Sequence, residues 1–517
     1  MAIDAEYRPR NPEDNPVYGV VAGHLETFLA RQRERDRHIP GLVEKEFREF
    51  LNCGVWDRGF LRVHCRDCGL DRLVPYSCKR RCICSSCGGR RMADTAAHLV
   101  DRVFPRVPVR QWVLTVPYAL RYRLAYDASL VTDVLAVFTR TVFASLIRRA
   151  REFGAERKPQ CGAVSFIQRF DSALRLNLHI HMLAFDGIYA ADENDHPQFQ
   201  ALLAPDNDEI ARLTATLAQR MTRLLDRRGL GPDSDAEESD SLPRDEPWLA
   251  GLYAAAVTGR TAYGPNAGRR VTRVGDQIDP ESMDLTLSPR CATVDGFSLH
   301  ANVAVHADDR PRLERLARCC ARAPIAMDRL ERLVDGRLLY RFKRPWRDRT
   351  THIVMEPMEL LEKLSALVPA PRAHWVRYSG VLAPASKWRP RIVPEPAILS
   401  TIPPDTADAT QRSRTDSTPT PAATAQQALQ PGPCRHGRNY TWAELMKRVG
   451  TGRPRMPSLP GTYENRGSDQ LFQRHSKDSQ LSGPTVAGAA HRRSRSNVLR
   501  STGMVLKQRR VTLLWAS

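Results

Sequence analysis

No stretch of this chain approaches the roughly 20 consecutive apolar residues needed to cross a bilayer. Nor does a secretory leader open it, since residues 1–15 are polar, with prolines and charges. Both absences predict a soluble, cytoplasmic protein with no membrane partner. Acidic residues are short relative to basic ones, 58 Asp and Glu against 78 Lys and Arg, a formal net charge of +20. Arginine greatly outnumbers lysine, so genomic composition accounts for part of the excess. The remainder favours a polyanion, nucleic acid first, as partner. Cysteine is sparse outside one window: of 12, seven fall between Cys53 and Cys87. In an intracellular chain, such clustering argues for metal ligation over disulfides. A chain of 517 residues, 42% of them hydrophobic, can bury two or three globular cores.

Within the cysteine window, Cys65 and Cys68 form one Cys-x2-Cys pair, and Cys84 and Cys87 form another 15 residues on. Each spacing fits a zinc knuckle, and two knuckles supply the four thiolates of a structural Zn2+ tetrahedron. The competing reading is a set of buried or redox-active thiols. Cys53, Cys78 and Cys82 are spare, and Cys53 and Cys78 are the reserve ligands, Cys78 lying close enough in sequence to substitute. Lys79, Arg80, Arg81, Arg90 and Arg91 surround the second pair and are expected on DNA phosphates.

A different chemistry is suggested by Leu174–Tyr189. On a strand, residues two apart share a face. Leu174, Leu176, Leu178, Ile180 and Met182 then enter a core, while Arg175, Asn177, His179 and His181 share the other face. Two neutral imidazoles side by side can chelate one divalent ion. The bland alternative is a pair of histidines on a solvated strand. The run Cys161–Phe170 precedes it across the turn residues Asp171 and Ser172, so the two read as a hairpin. Gln168 is then placed to offer an amide oxygen to the same ion.

The rest of the chain reads as α+β. Helical periodicity recurs over 16–52, 92–104, 127–152, 206–227 and 309–323, and strand-like runs over 111–116 and 296–305. His300, in the last of these, is an additional ligand or, more simply, a polar-face histidine. Residues 228–247 read as a mobile acidic loop. Lys343, Arg344 and Trp346 interleave cations with an aromatic, which suits single-stranded DNA. Residues 395–438 have the composition of a disordered linker, 439–449 read as a short helix, and 450–517 as a disordered tail.

The segment FIQRFDSALRLNLHIHMLAFDG resembles the metal-binding core of the HUH transposases, the rolling-circle group that includes the common-region insertion elements. HUH denotes His, hydrophobic residue, His, which His179-Ile180-His181 matches. The resemblance runs from about Gly41 to Pro394. It implies an amino-terminal helical and zinc-binding domain over 16–106. An HUH catalytic domain over 107–394 then carries an antiparallel sheet with helices packed on one face. It further implies Mg2+ or Mn2+ at the histidines, nicking of one strand at insertion-element ends through a phosphotyrosine, and a cytoplasmic protein that joins the nucleoid when bound to DNA. In the family the nucleophilic tyrosine sits on a helix a few residues before a Pro pair. Here its place falls on Cys319, and the Pro pair reads Ala323-Pro324. A thiolate attacks phosphorus poorly and is shorter by a ring, so Cys319 and Cys320 read as small core residues and cleavage as impaired. Tyr340 and Tyr378 remain as rescue candidates for the nucleophile, and neither matches its place. Family members carry a carboxy-terminal Cys-Pro-x-Cys knuckle after the short helix. A one-base shift near Val449 can be back-translated to restore one, so 450–517 reads as out-of-frame translation. Two other functions fit less fully: a non-catalytic zinc-containing DNA binder, and a plasmid replication initiator or relaxase. The sequence fixes neither the DNA site nor the oligomeric state.

Overall fold

The computed structural model describes residues 11–65, 71–154, 158–231, 240–275, 289–346, 348–394 and 463–465. The chain opens with helix α1 (Pro16–Arg33), started by a proline in its first turn and by Asn15, whose side chain accepts from Val17 N at 2.9 Å and Tyr18 N at 3.2 Å. Val17, Val21, Leu25, Phe28 and Leu29 line its buried face and meet Val43, Phe47 and Phe50 of α2 (Gly41–Leu51). A hairpin of β1 (Phe60–Cys65) and β2 (Asp71–Pro75) follows, then α3 (Ser85–Arg102).

The centre of the molecule is a six-stranded antiparallel sheet. Its elements arrive as β3 (Val109–Thr115), the helices α4 (Tyr118–Tyr126) and α5 (Ala128–Glu152), β4 (Gly162–Phe170) and β5 (Leu176–Phe185). A small hairpin, β6 (Gly187–Ala191) with β7 (Pro197–Ala201), leads to α6 (Asn207–Arg227). Then come α7 (Leu242–Asp245), α8 (Pro247–Thr258), β8 (Thr272–Gly275), β9 (Cys291–Val294), β10 (Phe297–Val305) and α9 (Arg310–Cys320). The chain continues through β11 (Leu330–Arg332), β12 (Leu338–Arg341), β13 (Thr350–Met355), α10 (Pro357–Leu367), β14 (Val376–Gly380) and α11 (Arg389–Ile392), and β15 (Tyr463–Asn465) is the last described element. The main sheet has the order β14-β4-β5-β3-β10-β9, so β5 lies inside it, between its hairpin partner β4 and β3. A second sheet, β11-β12-β13-β8, packs with α1, α8 and α10.

Helices cover both faces of the main sheet, where the sequence predicts one covered face. Leu178, Ile180, Met182 and Ala184 of β5 point toward α5 and α6, against Leu130, Val134, Phe138, Leu217 and Met221. The opposite face is polar only at one end. At the other, Val109, Val164, Phe166, Leu183 and Phe185 are too apolar to meet water, and Leu99 and Val100 of α3 with Leu313 and Ala317 of α9 close over them. By length and composition α5 could span a bilayer, yet half of its apolar window is buried. It is the core helix of this layer.

A buried fork locks the strand carrying the histidines. Arg110 donates to both carboxylate oxygens of Asp186, at 2.9 and 2.5 Å, and to Ala301 O at 2.9 Å, bridging β3, the end of β5 and β10. At the sheet edge, Gly380 adopts φ +63°, and an added Cβ would sit 1.9 Å from Cys161 O, so only glycine fits.

Within the expected loop 228–247, residues 242–245 form a helical turn, and Asp240 takes the Tyr126 hydroxyl at 2.6 Å. Its residues 232–239 lie outside the described ones, as do the linker 395–438 and the expected helix 439–449. In the tail expected to be disordered, residues 463–465 pair antiparallel with β1, whose open edge offers unpaired backbone groups to another strand.

Candidate metal centres

Four sulfurs converge at the root of the β1–β2 hairpin. Cys53, Cys78, Cys84 and Cys87 hold their ligand atoms within 4.8 Å of one another. The measured separations are 3.7 Å for Cys53–Cys87, 3.6 Å for Cys78–Cys87 and 3.6 Å for Cys53–Cys84. A tetrahedral zinc about 2.3 Å from each sulfur spaces the sulfurs about 3.8 Å apart, so these three edges match that ion closely. The local backbone explains the convergence. Cys84 is the cap of α3 and accepts from Cys87 N at 3.5 Å, which turns both sulfurs the same way at the positive end of a helix. Lys79 takes φ +54°, and the turn it makes lets Arg80 N donate to Cys78 Sγ at 3.5 Å. Cys78 N donates to Cys53 Sγ at 3.4 Å. Hydrogen bonding among the four thiols, that from Cys78 first, lowers Cys53 to about 7 and also lowers Cys84, while it raises Cys78 and Cys87; a metal requires all four as thiolates.

The partners of Cys84 and Cys87 are therefore the reserve pair Cys53 and Cys78, in place of Cys65 and Cys68. Gly54 N bonds Tyr76 O at 2.9 Å, fixing residues 53–54 and 76–78 at the hairpin root. Cys65 ends the six-residue strand β1. At about 3.3 Å per residue its backbone lies roughly 17 Å from that root. Cys68 lies outside the described residues. Cys82 is a core residue, its sulfur 3.9 Å from Leu364 O. Regular Cys-x2-Cys spacing favoured the hairpin-tip pair. The signal for the other two was only that two unpaired cysteines, Cys53 and Cys78, flank the hairpin.

The second cluster lies on β5. His179 and His181 face the same way, ring centroids 4.9 Å apart and planes at 65°. In His179, Nδ1 is 2.9 Å from Asn177 O. A carbonyl only accepts, so Nδ1 carries the hydrogen and Nε2 presents a lone pair. Burial lowers the pKa of His179, and burial with the charges of His179 and Arg322 lowers that of His181 to about 3. Both rings are thus neutral, the form that binds metal. In register, Gln168 stands opposite His179. Its Nε2 donates to Cys319 O at 3.0 Å and Cys320 O at 2.7 Å, tying β4 to the end of α9. The reversed amide would oppose oxygen to two carbonyls, so Oε1 is the atom left over. His300 pairs with Val113, which pairs with His181, so it shares their face but stands two strands away. Among the described residues, no third His, Cys, Asp or Glu joins the histidine pair.

Sequence reasoning passes over Gln111 of β3. Its Nε2 is 2.9 Å from His181 Nδ1 and 3.3 Å from Cys320 Sγ. It therefore connects the imidazole to α9. Cys320, not Cys319, faces the sheet: it is buried, and burial raises its thiol well above the ordinary range. Cys319, read as a core residue from sequence, is exposed. The helical rotation of about 100° per residue turns one of two adjacent cysteines inward and the other out. Tyr340 is 2% exposed, and its hydroxyl accepts from Ala326 N at 3.3 Å. Tyr378 lies on β14, two strands from β5, under the Arg389 guanidinium at 5.4 Å.

The expected phosphate contacts divide. Arg80 donates to Glu49 at 2.6 Å, and Arg81 to Ala373 O at 2.9 Å, while Arg91 bonds Lys79 O at 3.0 Å. Lys343 and Arg344 are exposed. Trp346 is half-buried: it stacks on Phe342 at 4.8 Å, lies under Arg175 and Arg273, and donates to Ser172 Oγ at 2.8 Å. Arg90 is exposed and sits on the first turns of α3.

Two family models match the chain. Residues 162–389, from β4 to α11, match one described as "Putative transposase". Residues 20–116, which contain all four clustered cysteines, match a transposase zinc-binding domain of the IS91 type. No curated protein and no solved structure matches.

Proposed function

We propose, for a chain that carries a transposase domain behind a transposase zinc-binding domain, that it acts on DNA by the rolling-circle route of the HUH enzymes. Structural zinc on Cys53, Cys78, Cys84 and Cys87 sets the amino-terminal domain. His179 and His181, with Gln168 Oε1 beside them, would hold Mg2+ or Mn2+. The ion would polarise the scissile phosphate. The observation that carries this reading is the histidine pair itself: two neutral imidazoles 4.9 Å apart, on the interior strand of a sheet, beneath the end of α9.

The protein's own residues then do three things. Asn177 O fixes the His179 tautomer. Gln111 orients His181: when its amide turns its oxygen toward Nδ1–H, His181 Nε2 becomes the second ligand. Gln168 holds α9 at the site through two carbonyls. A phenolate on that helix would attack phosphorus, form a phosphotyrosine and release a 3′-OH. Cys319 occupies that place, so this chain binds element ends and cleaves them weakly or not at all. Cysteine in the nucleophile's place favours one second reading, a zinc-containing DNA binder without catalysis.

A nicking assay on single-stranded oligonucleotides carrying element ends, with Mn2+, tests the proposal. The native chain should give almost no covalent adduct. Cys319→Tyr should raise adduct from near zero, and His181→Ala in that background should abolish it. Adduct from the native chain, unchanged by Cys319→Tyr, would place the nucleophile elsewhere.

A further inference from the structure

Beside the histidine pair, where the zinc-binding region meets the sheet edge, lies a cavity of about 110 Å3. A single water needs roughly 10–15 Å3 of such space, so the cavity is large enough for an organic group. Its walls combine Phe166, Phe170 and Trp375 with four guanidinium groups, Arg81, Arg91, Arg169 and Arg322, and no carboxylate lines it. Gln168 and Cys320 also border it, so it opens onto the residues that tie β4 to α9.

Two of the arginines lack what a finished core would give them. Arg169 is 6% exposed and donates to Ala125 O at 2.6 Å and Ala366 O at 3.3 Å, yet its Nε has no acceptor among the described residues. That Nε has no accessible surface, so it faces protein, and the cation that Arg169 lends the cavity wall acts through its charge. Arg322 stacks over Phe170 at 4.9 Å, and no carboxylate pairs with it among the described residues. Aromatic faces and cationic charge together select a planar group with a phosphate beside it.

We infer that this cavity receives one unstacked base of single-stranded DNA, held against Phe170 and Trp375, with Arg322 donating to an adjoining phosphate. The inference rests on the transposase reading above and deepens it, because the seated base delivers the neighbouring phosphate to the histidines. It also gives the zinc a mechanical part. Arg81, three residues before Cys84, bonds Ala373 O at 2.9 Å and so holds the segment that carries Trp375. Gly88, the residue after Cys87, faces Ala323 so closely that an added Cβ would lie 2.7 Å from its Cβ. The zinc-binding region is thus one wall of the seat.

The test uses the zinc-loaded full chain and an oligothymidylate with one 2-aminopurine, without added Mg2+ or Mn2+. Anisotropy reads affinity and 2-aminopurine emission reads stacking. Binding should quench the probe. Trp375→Ala and Arg322→Ala should relieve the quench and weaken affinity roughly tenfold, since one stacked base is worth about that much or more. Trp375→Phe should restore the quench, and Arg223→Ala, on the outer face of α6, should change neither reading. Zinc content and circular dichroism confirm that each variant folds. Binding without quenching, or a quench that survives both Trp375→Ala and Arg322→Ala, would overturn the inference. So would a free 2-aminopurine nucleotide that binds as tightly as the oligonucleotide. His181→Ala should keep the quench. If adduct formation fails in Cys319→Tyr while the quench persists, the cleavage reading falls and the base seat stands; adduct without quench gives the reverse.

Discussion

Replacing Cys78 with serine distinguishes the cluster at the hairpin root from the pair at its tip. The sulfurs of Cys53, Cys78, Cys84 and Cys87 already stand at 3.6–3.7 Å across the three measured edges, close to the edge of a zinc tetrathiolate. Structural zinc in small domains contributes on the order of 10–16 kcal/mol of apparent binding free energy. Shared over four thiolates, that is about 2.5–4 kcal/mol each, or roughly 10²- to 10³-fold in affinity. Competition with a chromogenic chelator measures that ratio directly, and elemental analysis gives the stoichiometry. Cys78→Ser and Cys53→Ser should each weaken the tight zinc by at least about 10²-fold. The zinc-free form should melt lower, because ligation stabilises only the folded chain. Cys65→Ser should leave that ion's affinity unchanged. A chain that keeps its tight zinc in Cys78→Ser and loses it in Cys65→Ser would refute the assignment.

Metal binding at the histidines should be less sensitive to mild acid than ordinary imidazoles would make it. Two ordinary imidazoles near pKa 6.5 would each be about nine-tenths protonated at pH 5.5, costing roughly 10²-fold in affinity for a pair. Here both pKa values are lowered, that of His181 to about 3, so calorimetric Mn2+ affinity should fall by clearly less than that from pH 7.5 to 5.5. A fall approaching 10²-fold would show that the rings are more solvated than their packing indicates. Gln111→Leu removes the group that orients His181 and should lower Mn2+ affinity about 10- to 100-fold without loss of zinc; unchanged affinity would make Gln111 a packing residue only. Asp186→Ala strands the Arg110 guanidinium, whose side chain is 4% exposed. Breaking a buried pair from one side costs about 3–5 kcal/mol, so urea denaturation should show a loss of that size, and a loss under 1 kcal/mol would mean water reaches the arginine.

Local pattern alone determined much of this molecule. Period-two alternation in β5 put His179 and His181 on one face because a strand has only two faces. Apolar spacing located α1, α5, α6 and α9, and the turn at Asp171 joined β4 to β5. Spacing also paired Cys84 with Cys87, since a knuckle closes within one helical turn. What tertiary structure decided involves separations that no periodicity encodes. Cys53 meets Cys78 because the hairpin folds back on its root, bringing together residues 25 apart in sequence. Gln111 meets His181 because β3 enters the sheet beside β5, 70 residues away. The inward turn of Cys320 and outward turn of Cys319 follow from how α9 lies on the sheet. The cavity of Arg169 and Arg322 exists only where three distant segments abut. Sequence fixes which face a residue takes on its own element, whereas packing between elements, driven by the apolar area each must bury, decides what that face meets.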